Sequence, residues 1–288
     1  MNALIFLRHI KVENANAIAG VTWGFPAISG FVGFVHALSR KLPFGCGVTL
    51  EGCAVICHSS NVQAYKPSPM GDHVFALTRN PLTRSASTPS FVEEGRMAMD
   101  ISLVIPVFGE FDSEIDLEAA LGVVRDFTVS SRVAGGTVVS VREVEIKEPP
   151  EDFDELRRFE RKQLGQLLPG FALVERSDIL AEHSEKLSKD NPDFEPMDAF
   201  LDFASLHYKT DLFESGEVEG ASAIWSRVDK PSSGWLVPIT TGYRSISKLY
   251  EPGVVDRTRD CETPFCFAES VYTIGQWLSP HRAEGLSD

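Results

Sequence analysis

The chain has 288 residues, 43% hydrophobic and 24% charged, with a formal net charge of −14. Such a balance gives a folded globular protein with room for one large domain or two small ones. It argues against a uniformly basic nucleic-acid binder, which needs positive surface to displace counterions from phosphates.

The charge is unevenly spread, and that weakens the objection. Residues 1–110 carry eight Lys/Arg against seven Asp/Glu, while the remainder carries 19 against 34. A near-neutral segment can present a local basic groove, whereas an acidic one reads as a solvated face or a docking surface for a basic partner. Any RNA is therefore expected mainly on residues 1 to about 140.

The first apolar run, about five residues ending at Arg8, is too short for a signal segment or a membrane span, so a cytoplasmic location is expected. Cys46, Cys53, Cys57, Cys261 and Cys266 form an odd, scattered set without a CxxC pair, which fits a reducing compartment. Cys53, Cys57 and His58 lie close enough to suggest a metal, but a buried strand carrying small thiols explains them too, and no fourth ligand is apparent. No metal and no cofactor is expected.

In chain order, Leu4–Val12 reads as a strand, apolar on both sides at first and then alternating Ile10 and Val12 with His9, Lys11 and Glu13. Pro26 can open a helix whose apolar positions Phe31, Phe34, Val35 and Leu38 leave Ser29, Gly33, His36 and Arg40 on the other side. Strands are expected at Cys53–His58, at His73–Thr78 and over the alternating run from Met97 to Ile105. A second helix from about Ser113, with Asp112 as its N-cap, buries Leu117, Ala120, Leu121, Val124 and Phe127. A glycine turn and strand follow from Arg132 through Gly135 and Gly136 to Val139.

This order predicts an α+β fold with a ferredoxin-like, RRM-like domain over residues 1–147, carrying an extended thumb hairpin around 79–96. Residues 148–288 form a smaller C-terminal α/β region for packing and partner docking. It begins with a charged helix from Glu151 to Leu168, a turn at Pro169-Gly170 and an acidic helical stretch to about Tyr208. Asp211–Gly220 reads as a flexible loop, and the segment from Gly234 onward as short strands and tight turns.

Three stretches can meet RNA. The loop Asn14-Ala-Asn16-Ala-Ile-Ala-Gly20, continuing through Thr22-Trp23-Gly24-Phe25-Pro26, offers amides for base edges, an indole for stacking and glycines for close phosphate approach. On composition alone a turn with an anchoring tryptophan fits it better. Arg79, Asn80 and Arg84 lie in an extended hairpin segment where arginines can clamp phosphates, or simply be solvated. Arg132 precedes Gly135 and Gly136, which permit an RNA backbone to approach main-chain N–H groups or make an ordinary turn. His36, off the apolar stripe of its helix, can face RNA or act in proton transfer. No Walker loop, nucleophile elbow, HExxH or dinucleotide GxGxxG occurs.

Taken together and in order, Asn14-Ala-Asn16-Ala-Ile, Thr22-Trp-Gly-Phe-Pro26, Gly33-Phe-Val-His-Ala-Leu38, Thr78-Arg-Asn-Pro-Leu82 and Glu93-Glu-Gly-Arg96 resemble the second Csy subunit of type I-F CRISPR systems. Ala134-Gly-Gly136, Leu167-Leu-Pro-Gly-Phe-Ala-Leu-Val174, Gly234-Trp-Leu-Val-Pro-Ile239, Gly242-Tyr243 and Trp277-Leu-Ser-Pro-His-Arg282 extend the likeness along nearly the whole chain. The chain ends soon after that last motif, where family members continue with an aromatic-rich tail, and its acidic middle is stronger than the family pattern.

The resemblance implies a Cas-five-type member of the repeat-associated mysterious protein superfamily that binds RNA without cutting it. Its implied partners are the 5′ handle of the crRNA, the large Csy subunit, the first backbone Csy subunit and, as a possibility, target DNA near the PAM; no membrane is implied. Carried over by motif, Asn14, Asn16 and Trp23 contact the handle, and His36 and Arg40 line its path; His9 is a further RNA-binding candidate. Arg79, Asn80 and Arg84 begin the thumb, and Arg96, Arg132, Gly135 and Gly136 hold the RNA backbone. The alternative is a metal-independent endoribonuclease on the same fold, using His36 or His58.

Overall fold

A computed structural model describes residues 2–20, 22–42, 47–109, 111, 114–191, 193–212, 223–258 and 260–282. The elements used below are β1 (Ala3–Asn16), α1 (Ile28–Ser39), β2 (Ala54–Val62), β3 (Val74–Arg79), β4 (Phe91–Glu94), β5 (Arg96–Phe108), α2 (Glu114–Ser130), β6 (Gly136–Lys147), α3 (Phe153–Gln166), β7 (Phe171–Glu175), α4 (Ser177–Asp190), α5 (Pro196–Ala204), β8 (Leu236–Ser245) and β9 (Ala268–Leu278). The chain is mixed α/β, with mostly antiparallel pairing and five α-helices among the described residues.

Two compact units share the chain: residues 1–173, 240–272 and 278–288 form the first, and 174–239 with 273–277 the second. In the first, β1 pairs antiparallel with β6 on one side and β5 on the other, and β5 continues to β2. With α1 between β1 and β2 and α2 between β5 and β6, the spatial order of the four long strands is β6, β1, β5, β2.

β1 is apolar throughout its first half because both faces of the sheet are covered there. Ile5, Leu7, Ile10, Val12, Ala15 and Ala17 join Phe31, Phe34, Val35 and Leu38 of α1 and Val124 of α2 in one core. Leu4 and Phe6 point the other way, packing with Ile56, Val104 and Leu167 and against Phe159 of α3. A regular strand would keep period two, yet the core-facing series runs 5, 7, then 10, 12, then 15, 17. Each slip coincides with a register shift against β5 and with a non-glycine residue at positive φ, His9 at 53° and Asn14 at 56°. These are β-bulges, which re-aim side chains at the cost of local strain.

The helix expected to open at Pro26 begins at Ile28, with Pro26 buried just ahead of it. Asp112, the expected N-cap of α2, lies outside the described residues, as does most of the expected loop 211–220. The stretch from Arg132 to Val139, read as a turn leading into one strand, is a hairpin: Arg132–Val133 pairs back on Gly136 and Thr137 around Ala134 and Gly135. α3 starts at Phe153 because Asp152 caps it, accepting the N–H groups of Asp154 and Glu155 at 3.1 and 3.0 Å.

The acidic stretch forms α4, which ends at Asp190, and α5, which begins at Pro196 with Glu195 as its N-cap, and the strand beginning at Tyr208 ends it. In the second unit Asp202 of α5 accepts from His183 Nε2 at 2.8 Å, and Ala199, Phe200 and Phe203 are buried. The C-terminal part departs from the short strands expected: β8 has 10 residues and β9 has 11. Ladder length follows from neighbours distant in sequence, which Pro and Gly content does not report.

Candidate functional site

The loop after β1 is held by the backbone on both sides. Asn16 N–H donates to the Ala134 carbonyl at 2.9 Å, Ala17 N–H to Gly95 at 2.8 Å, and Gly24 N–H to Ala17 at 2.8 Å. Ile18–Ala19 then pairs with Thr22–Trp23 in a two-residue hairpin. Asn16 Oδ1 accepts the Ile18 N–H at 3.1 Å, so its amide NH2 is the end left to donate outward. Thr240 of β8 is buried and its hydroxyl donates to the Ala19 carbonyl at 2.9 Å, fixing the loop from a third direction.

These ties create a groove of about 780 Å³ within the first unit. Its walls are Asn16 and Ile18 to Gly20 from the loop, and Ser29, Gly30, Gly33 and Ala37 from α1. Arg132, Ala134 and Gly135 close it at the hairpin, and Thr240, Tyr243 and Ser270 also line it. Of the residues singled out in the sequence, the groove brings together Asn16, Arg132 and Gly135. Gly136 stands just beneath: a Cβ there would lie 2.6 Å from Val12 Cγ1 and 2.7 Å from Ala15 N, so close backbone packing accounts for it. His36 and Arg40 are exposed at the C-terminal end of α1, beyond the groove lining.

A second group stands on a ribbon. Ala64–Tyr65, β3 and β4 form a three-stranded sheet. Arg79, on β3, has its guanidinium 4.1 Å over the Phe91 ring, and exposed Asn80 and Arg84 follow it. The loop is organised by its own hydroxyls, Thr83 meeting Ser85 at 2.9 Å and Ser87 at 2.6 Å. At the ribbon's base Trp23, 62% exposed, packs edge-on against Phe75 at 5.5 Å. Arg96 holds the Glu94 carboxylate at 2.8 Å and the Asn14 carbonyl at 3.3 Å, and Gln63 reaches Asn14 Oδ1 at 3.2 Å.

His9 belongs to neither group. The bulges at His9 in β1 and at His58 in β2 flank β5 at the same level, and the two imidazoles stack at 4.1 Å with a 23° tilt. His9 Nδ1 meets Asp100 at 3.1 Å, and the His9 N–H donates to Ser102 Oγ at 3.1 Å. His58 Nδ1–H donates to the Pro169 carbonyl at 2.6 Å, and its Nε2 meets Ser102 Oγ at 2.7 Å. Burial lowers the His58 pKa, against the opposing pull of the Pro169 carbonyl.

His9, His58 and Asp100 each offer one ligand atom within 4.8 Å of the others, so the metal-capable set beside His58 is not the cysteine set considered from the sequence. Burial pushes the Cys53 thiol up to about 12 and Cys57 up to about 11, which keeps both protonated near neutral pH.

Sequence reasoning missed three groove residues, Tyr243, Thr240 and Ser270. Tyr243 lay within a quoted motif, but nothing local marks it as a neighbour of Asn16. Among the described residues no helix is long and apolar enough to cross a membrane.

Comparison with known proteins agrees with this arrangement of motifs. A family model described as CRISPR-associated protein (Cas_Csy2) matches residues 5–288. A protein of Pseudomonas aeruginosa (strain UCBPP-PA14), CRISPR-associated protein Csy2, is 39% identical over 295 residues, covering 99% of this chain and 90% of its own length. The chain belongs to the Csy2 family of CRISPR-associated proteins.

Proposed function

We propose that, within the type I-F Csy complex of its family, the chain is a noncatalytic subunit that holds the 5′ handle of the crRNA. In this reading it joins the large Csy subunit to the first backbone subunit in cytoplasmic antiviral defence. The observation that carries it is the groove in which Asn16, Arg132 and Gly135 converge. An outward amide, an exposed guanidinium and a glycine turn supply what single-stranded RNA needs: a reader of base edges, a phosphate partner and close backbone approach. The RRM-like reading is supported by the strand order β6, β1, β5, β2 with two crossover helices.

The noncatalytic reading is supported by the engagement of both ring nitrogens of His58 and by the distribution of the histidines. His36 is exposed on α1, whereas His58 stands with His9 and Asp100, so neither joins the groove lining. The ribbon with Arg79, Asn80 and Arg84 serves as the thumb, and Trp23 at its base as a stacking face. The acidic second part serves as the partner-docking surface, and target DNA near the PAM is a further partner in this reading.

The test is co-expression with the large Csy subunit and a crRNA, then size-exclusion chromatography with RNA extraction and nuclease footprinting. Co-elution with intact RNA whose 5′ handle is protected is the expected result. A lone monomer that shortens repeat RNA overturns the noncatalytic assignment.

A further inference from the structure

Two groove residues have identities that packing does not explain. Gly33 sits in the middle of α1, where glycine is less favourable than alanine. A Cβ at Gly33 would meet nothing within 4 Å. Gly30, less than one turn earlier, is different: its Cβ would come within 3.1 Å of Ala134 Cα, so close packing requires it. Gly135 has φ +77°, so the turn requires it. Gly33 has neither reason. An unfilled position on a concave surface is what a ligand approaching the helix backbone would need.

Tyr243 is the second. Its side chain is 70% exposed although it lines the groove, and it stands three residues after Thr240, whose buried hydroxyl anchors β8 to the loop. A phenol ring on an anchored strand, lining the same groove as a guanidinium and an amide, offers a π-face at low entropic cost, and every base can stack on such a face. The groove's 780 Å³ falls within the range of about 300–1,000 Å³ typical of sites for compact ligands, which a nucleotide matches.

We infer that Tyr243 and Gly33 are RNA-binding residues: the Tyr243 ring stacks on one base of a single-stranded RNA, and Gly33 keeps the groove floor open for its sugar–phosphate. Arg132 holds the neighbouring phosphate, and the Asn16 NH2 donates to an acceptor on the base. This rests on the RNA-binding reading and adds the nucleotide that the groove takes and how it is gripped. Stacking is tolerant of base identity, so sequence preference at this nucleotide comes from the Asn16 amide alone.

The test uses the full chain assembled with the large Csy subunit, and a labelled RNA from the chain's own CRISPR repeat with 2-aminopurine substituted along its 5′ segment. Tyr243→Ala should weaken binding by about 5- to 150-fold, the loss of one stacked base. Tyr243→Phe should bind within about twofold of wild type, since the ring is kept. One 2-aminopurine position should be quenched in wild type and relieved in Tyr243→Ala.

Gly33→Gln should leave the thermal midpoint unchanged or raised by about 1–4 °C, because a helix former replaces glycine in open space. The same change should weaken RNA binding at least about tenfold by filling the groove. A Gly33→Gln variant that keeps its midpoint and binds like wild type overturns the floor assignment. Unchanged affinity in Tyr243→Ala, or an equal loss in Tyr243→Phe, overturns the stacking assignment. Failure of the wild-type chain to bind any repeat RNA overturns the RNA-binding reading itself, which separates the two.

Discussion

The two faces of the central sheet treat arginine in opposite ways. On the α3 face Arg8 is 1% exposed, with Glu143 at 2.9 Å, Gln163 at 2.5 Å, Gln166 at 3.0 Å and Glu145 as its partners. Its guanidinium also lies 4.6 Å over the Phe6 ring. Burial alone would raise the Glu145 carboxyl, but hydrogen bonds from Lys147 and Arg8 outweigh that and hold it below its ordinary value. On the α1 face Arg132 is exposed at the groove and makes no ion pair among the described residues. A cation closed over by a helix and matched by two carboxylates is architecture, whereas one left at a glycine-lined groove is available to phosphate.

Removing each arginine should separate the two roles. Arg8→Ala leaves Glu143 and Glu145 side by side on β6 without their shared cation, and the expected loss is about 3 kcal/mol of stability, the lower end for a broken buried pair because both carboxylates reach solvent. Urea denaturation measures it, and a loss below about 1 kcal/mol would mean that water replaces the guanidinium at little cost. Gly136→Ala tests the ground beneath the groove. Its Cβ would press on Val12 and the Ala15 backbone, so about 1–3 kcal/mol of stability should go, with RNA binding falling only as folded protein is lost.

The same contrast explains what the sequence disclosed. The stripe Phe31, Phe34, Val35, Leu38 and the alternation from Met97 to Ile105 are periodic, and both elements appear where the period put them. Arg8 gave no such warning. It looked like the polar end of an apolar run, but its partners come from 135 to 158 residues away. The slips at His9 and Asn14 were hidden for another reason: a non-glycine residue at positive φ carries no compositional mark, so the strand appeared to lose its apolar alternation near Val12 instead of shifting phase. Asn16 and Arg132 were recognisable as candidates, but their meeting in one groove, with Tyr243 in the same lining, depends on contacts across more than 100 residues of chain.

On the open face the expected effects on stability are smaller and those on binding larger. Arg132→Ala should change stability by no more than about 0.5 kcal/mol, as surface changes usually do. It should nevertheless weaken RNA binding at all sequences tested and reduce the salt dependence by about one phosphate contact. Fluorescence anisotropy at several salt concentrations reads both. An unchanged salt slope would put Arg132 outside the phosphate path and leave the groove to base contacts.

The smallest effect concerns His58, which sits between the two roles, on the sheet yet partly buried. Its folded pKa lies below the ordinary 6.5 because burial disfavours the imidazolium, with His9 and Arg142 adding positive charge nearby and Asp100 opposing them. The unfolded chain therefore binds the proton more readily, and stability from this residue is complete above about pH 6.5 and declines as pH falls below it. His58→Gln removes that titration while leaving an amide able to donate to the Pro169 carbonyl. Thermal midpoints of wild type and His58→Gln should keep a constant separation above about pH 7, and the wild-type midpoint should fall relative to the variant's as pH drops below 6.5. Parallel curves throughout would mean that protonation of His58 contributes nothing to the stability of the fold.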